Sequence, residues 1–151
     1  MPSVLVTGAG RGIGLAITRH MSARGWDVYA GARSESALGE LAGMPGVHPT
    51  RLDITDRDSV AALADALPAE LDGVVNNAGI VVNGPVEGLT LDDLSRQFEV
   101  NVFAQMAVTQ TVLPKIRAAR GRIVFISSIS GLITTPGTGA SCPGSAGSGR
   151  Q

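Results

Sequence analysis

The chain has 151 residues, 44% of them hydrophobic and 17% charged, which suits one soluble α/β domain with a buried core. Its 12 basic and 13 acidic residues leave a formal charge of −1, so nothing in the charge points to nucleic acid or an acidic lipid surface as a partner. A lone cysteine, Cys142, excludes an intramolecular disulfide, no apolar run is long enough for a membrane span, and no signal peptide precedes the first strand, so a cytoplasmic protein is expected.

Val4, Leu5 and Val6 form a short apolar run before a glycine-rich turn and predict a buried strand. Residues 13–24 have helical spacing, with Ile13, Ala16, Ile17 and Met21 on one face and Gly25 as the stop. A second strand is expected over 27–32. Ser34 is placed to cap a short helix up to residue 42. A third strand follows over 47–52. Thr55 is placed to cap a helix over 56–67, closed by Pro68. A fourth strand is expected over 73–76. Residues 91–118 read as one long helix with an apolar stripe at Leu94, Phe98, Val102 and Met106. A fifth strand is expected over 122–126. Strands alternate with helices and are continuous apolar runs, which predicts a parallel sheet covered on both faces. Residues 137–151 carry no periodicity and read as an irregular Gly/Ser-rich tail after a domain spanning 1–136.

Between the first strand and the first helix lies Gly8-Ala9-Gly10-Arg11-Gly12-Ile13-Gly14. A strand-to-helix turn without Cβ atoms lets a pyrophosphate approach the backbone. The helix start then offers it free N–H groups and a positive dipole end. The bland alternative is a tight turn with no ligand, and the strand–loop–helix setting disfavours it. His20 and His48 lack partners at metal-ligand spacing, so they are expected at the surface and no metal site is expected.

Thr7 with this glycine spacing resembles the T-G-x-x-x-G-x-G opening of the short-chain dehydrogenase/reductase family. Further motifs follow in order. Asp53-Ile54 comes after the third strand, Asn76-Asn77-Ala78-Gly79 after the fourth, Asn101 lies within the long helix, and Arg122 to Ser128 ends in a serine pair. The resemblance runs through residue 140. It implies a Rossmann-like, doubly wound sheet of strand order 3-2-1-4-5, incomplete on its C-terminal side. It also implies hydride transfer between a nicotinamide and a carbonyl or secondary alcohol. The positions it assigns to the cofactor are Thr7, Gly8, Gly10, Arg11, Gly12, Ile13, Gly14, Arg33, Asp53, Ile54, Asn77, Ala78 and Gly79. Ser128 and Asn101 fall on catalytic-type positions. Each has a plainer alternative: Asp53 as a loop cap, Asn77 as a turn residue, Asn101 as a buried structural amide, and the serines as an ordinary strand end.

An NAD site wants a carboxylate at the end of the second strand for the ribose 2′-OH, whereas an NADP site wants a cation for the 2′-phosphate. Here the strand runs into Ala32-Arg33-Ser34, with Arg11 in the glycine loop. NADP(H) is therefore the preferred cofactor and NAD(H) the alternative.

The family's catalytic tyrosine and lysine would fall on Ser141 and Ser145. The tyrosine phenol, with an ordinary pKa of about 10, works because the lysine ammonium and nicotinamide cation lower that value. A serine hydroxyl is far too weak an acid to replace it. Tyr29 and Lys115 are the chain's single tyrosine and single lysine, and neither sits at the motif. The chain alone is expected to be inactive, with the fifth strand an exposed apolar edge. A tail built mainly of Gly, Ala, Ser, Pro and Arg is what a GC-rich gene yields out of frame, so a frameshift or truncation after Ala140 is expected. The small carbonyl or alcohol substrate would belong to a full-length form, and oligomerisation is possible through a partial family interface. The alternatives are a non-catalytic nucleotide-binding or interaction protein, and an unstable fragment.

Overall fold

A computed structural model of the protein describes residues 1–128. The boundary at residue 136, Ser141, Ser145 and the tail lie outside the described residues. Within them, β1 (Ser3–Val6), β2 (Asp27–Ala32), β3 (Val47–Arg51), β4 (Gly73–Asn76) and β5 (Arg122–Phe125) form one sheet of order β3-β2-β1-β4-β5. All four pairings are parallel, with Leu5 opposite both Tyr29 on β2 and Val74 on β4. The expected Rossmann-like order is the observed one.

The alternation of side chains along β1 sends Leu5 to one face and Val4 and Val6 to the other. Val4, Val6, Val28, Ala30 and Leu41 pack under α1 (Gly12–Ala23) and α2 (Glu35–Ala42). Leu5, Val74, Val108, Val112 and Ile116 pack on the opposite face with α3 (Arg57–Ala61), α4 (Leu63–Ala66) and the long C-terminal helix. Two cores on one sheet explain the apolar centres of the inner strands, whose polar residues Ser3, Asp27 and Asn76 stand at strand ends. β3 pairs only with β2 and carries Pro49, which an edge strand tolerates. Among the described residues β5 is the last strand, paired with β4, and its Ile123 and Val124 are 38% and 44% exposed.

Three expectations need correction. On α1 the residues turned to the sheet are Gly14 and Thr18, flanked by the half-buried Leu15, Ile17 and Met21, while Ile13 and Ala16 are exposed. Thr55 does not cap the next helix. Asp56 does, accepting from the Asp58 N–H at 3.0 Å, and the helical stretch breaks at Ala62 into α3 and α4. The long helix is not uniform. It runs as α5 (Leu91–Phe98), a π-helical stretch over Glu99–Ala104, and α6 (Gln105–Ala119). Its fully buried positions include Gln97, Ala104, Gln105 and Val108, whereas Leu94, Phe98, Val102 and Met106 are only half-buried. Thr90 starts α5 with a capping box, exchanging hydrogen bonds with Asp93.

Candidate dinucleotide site

The order of the sheet reverses at β1, which lies between β2 and β4. Crossovers on opposite faces leave a crevice at the carboxyl ends of these strands. A cavity of about 830 Å³ lies there, lined by Gly8 to Ile13 except Ala9, by Gly31 to Ser34, by Leu52 to Thr55, and by Asn77 to Ile80.

The glycine loop forms one wall. Gly8 holds φ at +64°, and a Cβ there would lie 3.0 Å from Ala78 Cα. A Cβ on Gly14 would fall 2.2 Å from the Gly8 carbonyl oxygen and 2.5 Å from Asn77 Nδ2, closer than any side chain fits. Gly10 is constrained less severely, its Cβ position lying 2.7 Å from Ala37 Cβ. Small residues thus bring the start of α1 down onto the loop. The α1 start has no side-chain cap, whereas Ser34, Asp56 and Thr90 cap α2, α3 and α5. Its first turn also carries no acid. Free N–H groups and a positive dipole end therefore open onto the cavity.

Thr7 and Asn77 stitch the two loops together. Thr7 Oγ1 accepts from the backbone N–H groups of Asn77 and Ala78, each at 3.0 Å. Asn77 Nδ2 donates to the carbonyls of Thr7 at 2.9 Å and Gly8 at 3.3 Å. Thr7 is buried and does not line the cavity, so its role is to set the loop geometry. Gly14 likewise stands behind the lining. Asn77, Ala78 and Gly79 line it directly.

Arg11 and Arg33 are exposed side chains on the cavity rim, at its helix end and at the end of β2. Arg51, nearby, is ion-paired with Glu35. Asp53 accepts at Oδ1 from Thr55 Oγ1 at 2.7 Å and from the Thr55 N–H at 3.0 Å. The Thr55 hydroxyl, above all, holds the Asp53 carboxyl below its ordinary range; burial opposes this, and the Thr55 amide and the Arg33 charge reinforce it. Asp53 thus does cap its loop, and together with Ile54 it also lines the cavity.

Asn101 sits in the π-helical stretch. Its Oδ1 accepts from the Ile80 N–H at 2.9 Å, and its Nδ2 donates to the Ile80 carbonyl at 2.8 Å. Its amide is committed to the Ile80 backbone and packs against Gly79, both of which line the cavity. Ser128 is exposed, just beyond the end of β5. Tyr29 stacks on His48 with ring centroids 4.8 Å apart, and Lys115 Nζ donates to the Leu67 carbonyl. Both are occupied far from a catalytic role at the strand ends. Among the described residues no three His, Cys, Asp or Glu side chains gather as metal ligands, and no helix is long and apolar enough to cross a membrane.

Sequence reading did not assign Gly31, Ala32, Ser34, Ala37, Leu52, Thr55, Ile80 and Val100 to the site, though they line the cavity. Strand-end position was the available signal for Leu52 and Thr55, since any residue just past β3 faces the same crevice.

A family model described as "short chain dehydrogenase" matches residues 2–142. The chain belongs to the short-chain dehydrogenase/reductase family. It is 38% identical over 143 residues to the 3-amino-tetrahydro-pyrrolizinone reductase of Xenorhabdus hominickii, covering 91% of this chain and 49% of that protein. It is 35% identical to retinol dehydrogenase 5 of Mus musculus, covering 90% and 45%. Among solved structures, the KRED1-Pglu enzyme superposes with a TM-score of 0.91 at 31% identity, covering 97% of this chain and 64% of that one. Serine dehydrogenase from Escherichia coli gives 0.88 at 29%, covering 95% and 69%. The chain spans about half the length of the curated relatives it matches. Short-chain dehydrogenases/reductases are oxidoreductases that use a nicotinamide dinucleotide, and the cavity has the form such a ligand needs: a glycine-rich cradle beside a helix start without a side-chain cap.

Proposed function

We propose that this chain carries the NADP(H)-binding unit of a short-chain reductase, within residues 1–136. The observation that carries the cofactor preference is the pair of cations, Arg11 and Arg33, on one cavity rim with no carboxylate at the end of β2. A 2′-phosphate beside β2 would meet both guanidiniums, and a 2′-hydroxyl would find no carboxylate at the end of β2 to accept its hydrogen bond. The pyrophosphate would lie against Gly8, Gly12 and the first turn of α1. Asp53, Ile54, Asn77, Ala78 and Gly79 would border adenine and ribose.

When bound, the nicotinamide donates or accepts a hydride. The chain's own contribution to chemistry would be Ser128, orienting a carbonyl or alcohol oxygen, and Asn101, fixing the wall at Ile80. General acid or base work would require a phenol and a cation where Ser141 and Ser145 stand. The chain by itself is therefore expected to bind cofactor without turnover. Following NADPH absorbance with pure protein and a panel of ketones and aldehydes should give no rate above buffer. Sustained NADPH oxidation that scales with protein concentration would overturn this.

A further inference from the structure

Residues 78–83 belong to no helix or strand, yet their burial alternates. Ala78, Ile80 and Val82 are half-buried, while Gly79, Val81 and Asn83 are exposed. That is the period of an extended chain whose inward edge needs hydrogen-bond partners. The partners are three amide side chains on the helix beside it. Gln105 Nε2 donates to the Ala78 carbonyl at 2.9 Å. Asn101 exchanges two bonds with the Ile80 backbone. Gln97 Oε1 accepts from the Val82 N–H at 2.6 Å.

The two spacings match. Positions 97, 101 and 105 advance in steps of four, about 6 Å along a helix axis. Positions 78, 80 and 82 advance in steps of two, about 6.6 Å along an extended chain. An α-helix turns 40° too far in four residues, at about 3.6 residues per turn. The i→i+5 bonding of the π-helical stretch widens the turn around Asn101 and reduces that drift. Gln97 and Gln105 are 0% and 4% exposed. Burying an amide is costly unless it bonds: both glutamines bond to the wall, while Gln105 Oε1 has no partner among the described residues, so apolar residues would have filled the space more cheaply.

We propose that Gln97 and Gln105 extend Asn101 into a three-rung amide ladder, a surrogate strand that holds residues 78–82 in place, and that both glutamines are positioning residues for the dinucleotide site. Ala78, Gly79 and Ile80 are the cavity wall that the ladder holds. The positioning part rests on the cofactor reading above. The wall lies at the end of β4, across β1 from Arg33, so loosening it should weaken NADPH and NADH equally.

The test uses Gln97→Met and Gln105→Met, with the exposed Gln110→Met on α6 as control. Each is read by amide hydrogen exchange of the free chain and by titration with NADPH and NADH. In Gln97→Met, exchange at Val82 should accelerate. In both ladder variants the two affinities should fall together by about tenfold, and in the control neither readout should move. Unchanged exchange at Val82 overturns the ladder. Faster exchange with unchanged affinity, in a background where wild type binds, overturns the positioning role. If wild type binds neither nucleotide, the cofactor reading and with it the positioning role fall, while the exchange result still decides the ladder.

Discussion

Gly14→Ala should cost at least about 100-fold in NADPH affinity, the range of two or more lost charged hydrogen bonds. The new methyl would have to occupy space 2.2 Å from the Gly8 carbonyl oxygen and 2.5 Å from Asn77 Nδ2. Neither obstacle is a loose side-chain end. The carbonyl belongs to a loop residue fixed at φ +64°, and the amide is tied to the Thr7 and Gly8 carbonyls. Either α1 lifts away or the loop does, and both move the N–H groups that would face the phosphates. Overpacking of this kind costs about 1–3 kcal/mol. Replacing a helical glycine by alanine returns up to about 1 kcal/mol. The melting temperature should therefore fall by only a few degrees while binding collapses. Gly39→Ala is the internal control: Gly39 lies in α2 with nothing within 4 Å of its Cβ position, so it should stabilise slightly and leave binding intact. Thermal melts and NADPH titration of both variants check this.

The second large effect concerns discrimination. Arg11→Ala combined with Arg33→Ala should weaken NADPH by about 100-fold, since each guanidinium–phosphate contact is a charged hydrogen bond of about 1.5–3 kcal/mol in a protein and less at an exposed rim. NADH affinity should change by less than about threefold, because NADH carries no 2′-phosphate for these guanidiniums to meet. Both side chains are exposed, so stability should move by no more than about 0.5 kcal/mol. The wild-type preference should also shrink as salt rises. Paired titrations at two ionic strengths check it. Equal weakening of both nucleotides would place the arginines on the pyrophosphate and remove the basis for an NADP(H) preference.

A parallel sheet covered on both faces was legible from apolar runs alternating with helical spacing, and its strand order from the resemblance carried by the motifs. Inner strands covered on both faces need apolar centres, and β1, β2 and β4 have them, with Ser3, Asp27 and Asn76 only at their ends. The contact face of α1 was not legible. Counting large apolar side chains selects Ile13 and Ala16, but the helix approaches the sheet through Gly14 and Thr18, whose small size permits it. Thr18 hides its hydroxyl by donating to the Gly14 carbonyl at 2.9 Å, and Ile13 is freed to stand at the cavity mouth. The helix after β4 misled for the opposite reason. Leu94, Phe98, Val102 and Met106 give a clean apolar stripe, yet the innermost positions include two glutamines. A polar residue is read as outward unless its partner is known, and here the partner is backbone of the loop after β4, distant in sequence. The π-helical stretch leaves no composition signal at all. Asn77 and Asp53 were found by their motifs, but their bonding to Thr7, Gly8 and Thr55 follows only once the strand ends are side by side.

Calorimetric titration of the pure chain with NADPH and then NADH, alongside a far-ultraviolet circular dichroism spectrum of the same sample, tests the central claim most directly. The account predicts saturable one-to-one binding, NADPH at least about tenfold tighter than NADH, and a melting temperature that rises with NADPH concentration. A chain whose spectrum shows mixed helix and strand but which gives no heat and no melting shift with either nucleotide would contradict it.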